Sequence, residues 1–309
     1  MEIVKYTNAE AGAWNDFISK SKNGIFLFNR NYLEYHKDRY SDHSLIVLKN
    51  QKVIAIFPAN ENGSEIHSHG GLTFGSLIVG YEIKATETLE IFELIKKYYS
   101  ELGFKKLIYK AIPSIFHKYP AEEDLYALFR MDAKLTRRDI SSVISLKDKI
   151  RFSETKKQSI SKCEKAGIIF SENENFEEYW ALLDEVLAKF ETKPVHSLEE
   201  ITRLKSFFPE NIRLFEAREN NNLLAGIIIY DFGKVVHTQY MANSLEGRKI
   251  GALDFLNHNL IQNIFSDREY YSFGISTTNQ GRELNEGLMQ QKEMMGGRGI
   301  AIDFYEIQF

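Results

Sequence analysis

Near the end of the chain, "GRELNEGLMQQKEMMGGRG" holds Leu284, Leu288 and Met295 at the spacing of one helix face, closed by Gly296 and Gly297, with Lys292 at the rim of that stripe. An ammonium at the edge of an inward-packing face is poorly hydrated and acts strongly on any anion beside it. Its ordinary alternative is a lysine whose stem covers apolar surface while its head reaches water. A second cationic feature is "NSLEGRKIGALDFL", where Gly247, Arg248, Lys249 and Gly251 lead into a helical stripe. Backbone N–H groups at a helix start, with glycines allowing close approach, suit an anion, and a plain strand-to-helix turn explains the glycines equally well. In "SFGISTTN", Gly274 permits close ligand approach, and Ser276, Thr277, Thr278 and Asn279 offer donors where a strand ends.

A basic stretch, "SLKDKIRFSETKKQSISKCEKAGIIF", includes Lys157 and Lys162 and reads as one helix over 153–167, with Ser153 as N-cap and Gly167 as stop. It could offer phosphates a patch or simply be a solvated connector. His67 and His69 share a strand face without a third ligand at diagnostic spacing, so no metal is expected. The one cysteine, Cys163, lies between lysines with no histidine nearby in sequence, which makes it a poor nucleophile. No catalytic serine signature, phosphate-binding P-loop or dinucleotide fingerprint is present.

These groups are positioned by a pattern that occurs twice. In the first half, "SLIVLKNQKVIAIFPAN" is a hairpin about Lys49–Lys52 and "HSHGGLTFGSLIVG" a third strand. A helix carrying Ile91, Ile95, Tyr98 and Leu102 follows, then the strand "KKLIYKAIP". In the second half, "RLFEARENNNLLAGIIIYDFG" is the hairpin and "KVVHTQYMANS" the strand. Leu253, Leu256, Leu260 and Ile264 mark the helix, and "EYYSFGIST" the closing strand. Hairpins joined to a helical crossover give an α/β fold with mixed sheets. The 309 residues then divide into two domains, 1–150 and 151–309.

Net charge of −4 and a pI of about 6.1 leave no global positive field for DNA or an anionic membrane. With no signal-like opening, no membrane-length apolar run and one cysteine, the sequence reads as that of a cytoplasmic protein.

Taken together, "AWNDFISKSKNGIFLFNRNYLEYH", "KKQSISKCEKAGIIF", "QYMANSLEGRKIGALDFL", and "YYSFGISTTN" followed by "EGLMQQKEMMGG" resemble the FemAB-like family of peptidyl and acyl transferases. The likeness spans nearly the whole chain and implies duplicated GNAT-like (acyl-CoA N-acyltransferase) domains. It also implies that Lys292 stabilises phosphate or developing charge in a cleft that Tyr240 shares, and that Lys157 or Lys162 touches phosphate. Arg248 and Gly251 fit the acetyltransferase pyrophosphate loop, while Leu253 stands where that loop ends in a small residue. The long helical arm that some relatives use to engage transfer RNA is not seen. The expectation is therefore an acyltransferase acting on an amine of a nucleotide- or lipid-phosphate-linked sugar or peptide precursor, with acyl-CoA (acetyl-CoA) as donor slightly ahead of aminoacyl-tRNA. A non-catalytic binding module of the same fold is the alternative. Asp231 and Glu286 are the carboxylates considered for the proton-accepting role.

Overall fold

The computed structural model describes residues 1–309. The chain forms two compact units, one of Met1–Asp139 with Thr278–Glu283 and Ala301–Phe309, the other of Ile140–Thr277 with Leu284–Ile300.

The first unit opens with β1 (Glu2–Lys5), α1 (Ala11–Lys20) and α2 (Arg30–Leu33), then β2 (Ser41–Asp42), β3 (Leu45–Lys49), β4 (Lys52–Phe57), β5 (Asn60–Asn62), β6 (Glu65–His67) and β7 (Ile78–Val79). Helix α3 (Ala85–Glu101), β8 (Lys106–Lys110) and α4 (Glu123–Arg130) follow, then β9 (Lys134–Ser145), whose residues from Ile140 onward belong to the second unit. The β3–β4 hairpin turns through Asn50 and Gln51, both left-handed at φ 52° and 61°, the conformation a tight two-residue hairpin needs. Strands order as β1-β3-β4-β7 in one sheet. Beside it in sequence, β8 pairs parallel with β6. Ile91, Phe92, Ile95 and Tyr99 of α3 pack with Leu45, Val47, Phe57 and Tyr109 in the core.

The second unit contains α5 (Glu154–Lys165), β10 (Ile169–Asn173), α6 (Glu177–Ala188), α7 (Leu198–Phe207), β11 (Ile212–Glu219), β12 (Asn222–Asp231) and β13 (Val235–Asn243). After it come α8 (Leu245–Ile250), α9 (Ala252–Asn259) and β14 (Tyr270–Ile275). The chain ends with β15 (Thr277–Thr278), β16 (Glu283–Leu284), α10 (Glu286–Glu293) and β17 (Arg298–Gln308). Strands β10 to β13 form an antiparallel meander, and the α8–α9 crossover makes β14 parallel to β13. The β11–β12 hairpin again turns through two left-handed residues, Asn220 and Asn221. Ile227 and Ile229 of β12 share a buried core with Phe255 and Leu256 of α9 and with Leu260 just after it. No helix is long and apolar enough to cross a membrane.

Two expectations fail locally. The run "HSHGGLTFGSLIVG" is mostly loop, with β6 ending at His67 and only Ile78–Val79 extended again. Its path depends on side-chain absence: a Cβ on Gly75 would overlap the Ser68 carbonyl. Lys110 then ties the loop down by donating to the carbonyls of His69, Gly70 and Leu72 at 3.1, 3.2 and 2.7 Å. The C-terminal helix also presents a different face. It starts at Asn285, whose side chain caps Leu288 N–H, so Leu284 lies outside it and Leu288 points to solvent. Met289 and Lys292 form the buried face instead, and Lys292 is only 3% exposed.

Candidate functional site

Strands β13 and β14 pair only over Val235–His237 and Tyr270–Ser272. Beyond His237, β13 continues to Asn243 with its partner β12 on one side and no ladder on the other, so this edge carries backbone donors that β14 does not use. Two irregularities accompany the divergence. Ile229 pairs with Thr238 and Ile228 with Tyr240, leaving Gln239 as an extra, bulged residue. On the other strand, register against β9 slips between Ser272 and Ile275, where Gly274 takes φ 73°. A side chain there would be strained, and its Cβ would stand 3.3 Å from His237 Cε1.

Lys292 holds the end of β14. Its Nζ donates to the carbonyls of Gly274 at 2.9 Å and Ile275 at 2.7 Å, and it lies 2.8 Å from Ser276 Oγ. Three acceptors match the three protons of an ammonium. The charge is thus paired with dipoles and not with a carboxylate, and burial draws its pKa down to about 8. Ser276 is fixed further by its N–H to Ile140 O and by Asn285 N–H to its own carbonyl. His237 lies beside Gly274 with Nδ1 3.1 Å from Ser272 Oγ. Burial, and then the charge of Lys292, lowers its pKa to about 4, so the ring is neutral near pH 7.

Tyr240, just past the bulge, has its hydroxyl 2.7 Å from His196 Nδ1 and accepts the His196 backbone N–H at 3.3 Å. Trp180 of α6 meets its ring edge-on. Burial raises the Tyr240 pKa, which keeps the phenol protonated at neutral pH. His196 and His237 carried no legible signal, because each is a single histidine in an otherwise unremarkable apolar or loop segment.

The other sequence candidates fall into distinct places. Gly247 is buried in α8, where a Cβ would overlap Leu224 O, and Ser244 Oγ already accepts its N–H at 2.9 Å. Gly251 sits at φ 90° between α8 and α9 against Ser159. Arg248 and Lys249 project outward from α8. Lys162 donates to Lys249 O at 3.0 Å and so ties α5 to α8, while Lys157 pairs with Glu154 at 2.6 Å. Asn279 belongs to the first unit and donates to Glu283. Asp231 is held by Arg268 and by Gly233 N–H, and Glu286 is exposed on the first turn of α10. Burial pushes the Cys163 thiol up to about 11.

In the second unit a four-stranded antiparallel meander, a helical crossover and a parallel fifth strand that parts from the fourth form a GNAT-like arrangement, and the first unit repeats the order of strands, helix and strand with β8 parallel to β6, so the fold is a duplicated GNAT-like one. Comparison with solved structures gives the same class. FemX is similar over 100% of this chain and 98% of its own, with a TM-score of 0.69 and 10% identity. The C-terminal domain of a putative lysylphosphatidylglycerol synthetase from Agrobacterium fabrum covers 98% of this chain and 93% of its own, at TM-score 0.65 and 12% identity. A tandem GNAT protein from the clavulanic acid biosynthesis pathway covers 99% and 98%, at TM-score 0.53 and 8% identity. No protein-family model and no curated protein matches the sequence.

Proposed function

We propose that the protein is an acyltransferase that moves an acyl or aminoacyl group to an amine on a nucleotide- or lipid-phosphate-linked sugar or peptide precursor of the cell envelope, with acyl-CoA as donor. The observation that carries this reading is the parting of β13 from β14, with the far end of β14 fixed by Lys292. A thioester lying along the free edge of β13 would meet backbone N–H groups able to polarise its carbonyl. The amine nitrogen attacks that carbon, the C–S bond breaks, the thiolate takes a proton from Tyr240, whose raised pKa keeps it in the acid form, and the proton shed by the nitrogen as it becomes an amide returns to the Tyr240 phenolate. Lys292 acts by position, because its three protons are committed to the β14 end. Arg248 and Lys249 on α8 are the cations available to donor phosphates.

Likeness to FemX and to the lysylphosphatidylglycerol synthetase domain supports transfer of an aminoacyl group as a variant of this chemistry. One observation favours a second reading, a binding module: Asp231 is neutralised by Arg268, and Glu286 is exposed, so neither candidate carboxylate is poised as a base. Titration calorimetry with acetyl-CoA, longer acyl-CoAs and a UDP-sugar, paired with a free-thiol assay in the presence of amine acceptors, separates them. The acyltransferase reading expects acyl-CoA binding, thiol release, and at least a tenfold loss of turnover in Tyr240→Phe. Binding without thiol release from any acyl-CoA would leave the binding module standing.

A further inference from the structure

Outside the β13–β14 region, the second unit holds a cleft of about 450 Å³ with three walls. The segment Lys149–Phe152 forms one, the α5 face Lys157, Ile160, Ser161 and Glu164 the second, and His258 with Gln262 at the end of α9 the third. Its volume lies in the range that encloses a small organic molecule. The α5 residues recur at the spacing of one helix face, and α9 passes into a π-helical turn, Leu260–Ile264, that carries Gln262, a distortion common at functional positions.

The lining is divided by charge. Lys149 is committed, donating to Gln262 Oε1 at 3.0 Å and to Ile261 O at 3.4 Å. Lys157 is partly neutralised by Glu154. Arg151 makes no ion pair or hydrogen bond, so its planar donor fork is free at the cleft. Glu164 stands two helical turns beyond Lys157, roughly 10 Å along α5, so an anion is directed to the Arg151 end. Between them the surface is apolar: Phe152 meets His258 edge-on at 6.0 Å, and Ile160 and Ile150 flank them. Burial lowers the His258 pKa, so near neutral pH the ring adds a flat uncharged surface to this floor.

We propose that this cleft is a second binding site, for a phosphate monoester whose organic part is flat or apolar. Arg151 and Lys157 take the phosphate, bidentate at the guanidinium, and Phe152, Ile160 and His258 take the organic group. The site shares Lys157 with the phosphate contact that the sequence resemblance implies, but none of its lining residues is Lys292 or Tyr240 or touches either in the hydrogen-bond network described above.

Titration calorimetry on the full chain tests it with AMP, hexyl phosphate, adenosine and inorganic phosphate. Both esters should bind more tightly than inorganic phosphate, and AMP at least tenfold more tightly than adenosine. AMP ahead of hexyl phosphate assigns a nucleotide, and the reverse a lipid-type phosphate. Arg151→Gln, an exposed change, should weaken ester binding about tenfold, equivalent to about 1.4 kcal/mol. Ser161→Phe should fill the cleft and abolish binding while the thermal midpoint stays within a few degrees. Binding that survives both variants, matches that of adenosine or inorganic phosphate, or vanishes in Lys292→Ala would overturn the assignment.

Discussion

At the scale of a residue, the buried ammonium of Lys292 ties stability to pH. Its ordinary pKa of 10.5 falls to about 8 in the folded chain because burial disfavours the charge. Between these values the unfolded chain binds more protons than the folded one, so stability rises as pH increases from about 8 toward 10.5. Below about 8 both states are protonated and the burial cost is fully felt. Lys110 follows the same course, also drawn to about 8 by burial, so total stability mixes the two. Comparison with Lys292→Met isolates one. From pH 7 to pH 9.5, urea denaturation should show the wild type gaining about 2 kcal/mol relative to this variant. A constant difference would mean that Lys292 is hydrated and keeps its ordinary pKa.

At the scale of an element, α8 combines a structural demand with a chemical opportunity, and substitutions can part them. Gly247 is packed onto the Leu224 carbonyl, so Gly247→Ala should cost about 1–3 kcal/mol in urea denaturation through overpacking. Arg248→Ala and Lys249→Ala, on exposed positions, should leave stability within about 0.5 kcal/mol. If α8 receives donor phosphates, those two changes should instead weaken acetyl-CoA binding, which calorimetry reads directly. The same contrast explains what the sequence made legible. The two hairpins were readable because Asn50-Gln51 and Asn220-Asn221 are polar residues suited to left-handed turns. Helix α5 was readable from Ser153 and Gly167, which indeed cap and stop it. The face of α10 was not, because its N-cap Asn285 leaves Leu284 outside the helix, and it is packing against the rest of the chain, which local spacing does not record, that buries Met289 and Lys292. Nor could spacing show that Tyr240 bonds His196 across 44 positions, since no local pattern records a long-range pair.

At the scale of the whole molecule, the chain order and the compact units do not coincide, because Ala301–Phe309 returns to complete the first unit. Phe304–Gln308 of β17 pairs antiparallel with Lys106–Lys110 of β8, and Ile307 is almost fully buried in the core that contains Tyr99 and Ile95. Phe309 stacks on Tyr99, and its N–H donates to Lys105 O at 3.0 Å. Deleting Ala301–Phe309 therefore strips a strand ladder and a large apolar side chain from the first unit and no residue from the second. The two tryptophans report on the units separately, Trp14 in the first and Trp180 in the second. Trp14 is fully buried, with its indole N–H donating to Phe28 O at 2.8 Å, so its emission should move to longer wavelength when that core opens. In a Trp180→Phe background the truncated chain should show this red shift, and its urea midpoint should fall well below that of the full-length control. In a Trp14→Phe background the emission of Trp180, which packs on Tyr240, should stay native. Equal loss in both backgrounds would mean that the units unfold as one cooperative body.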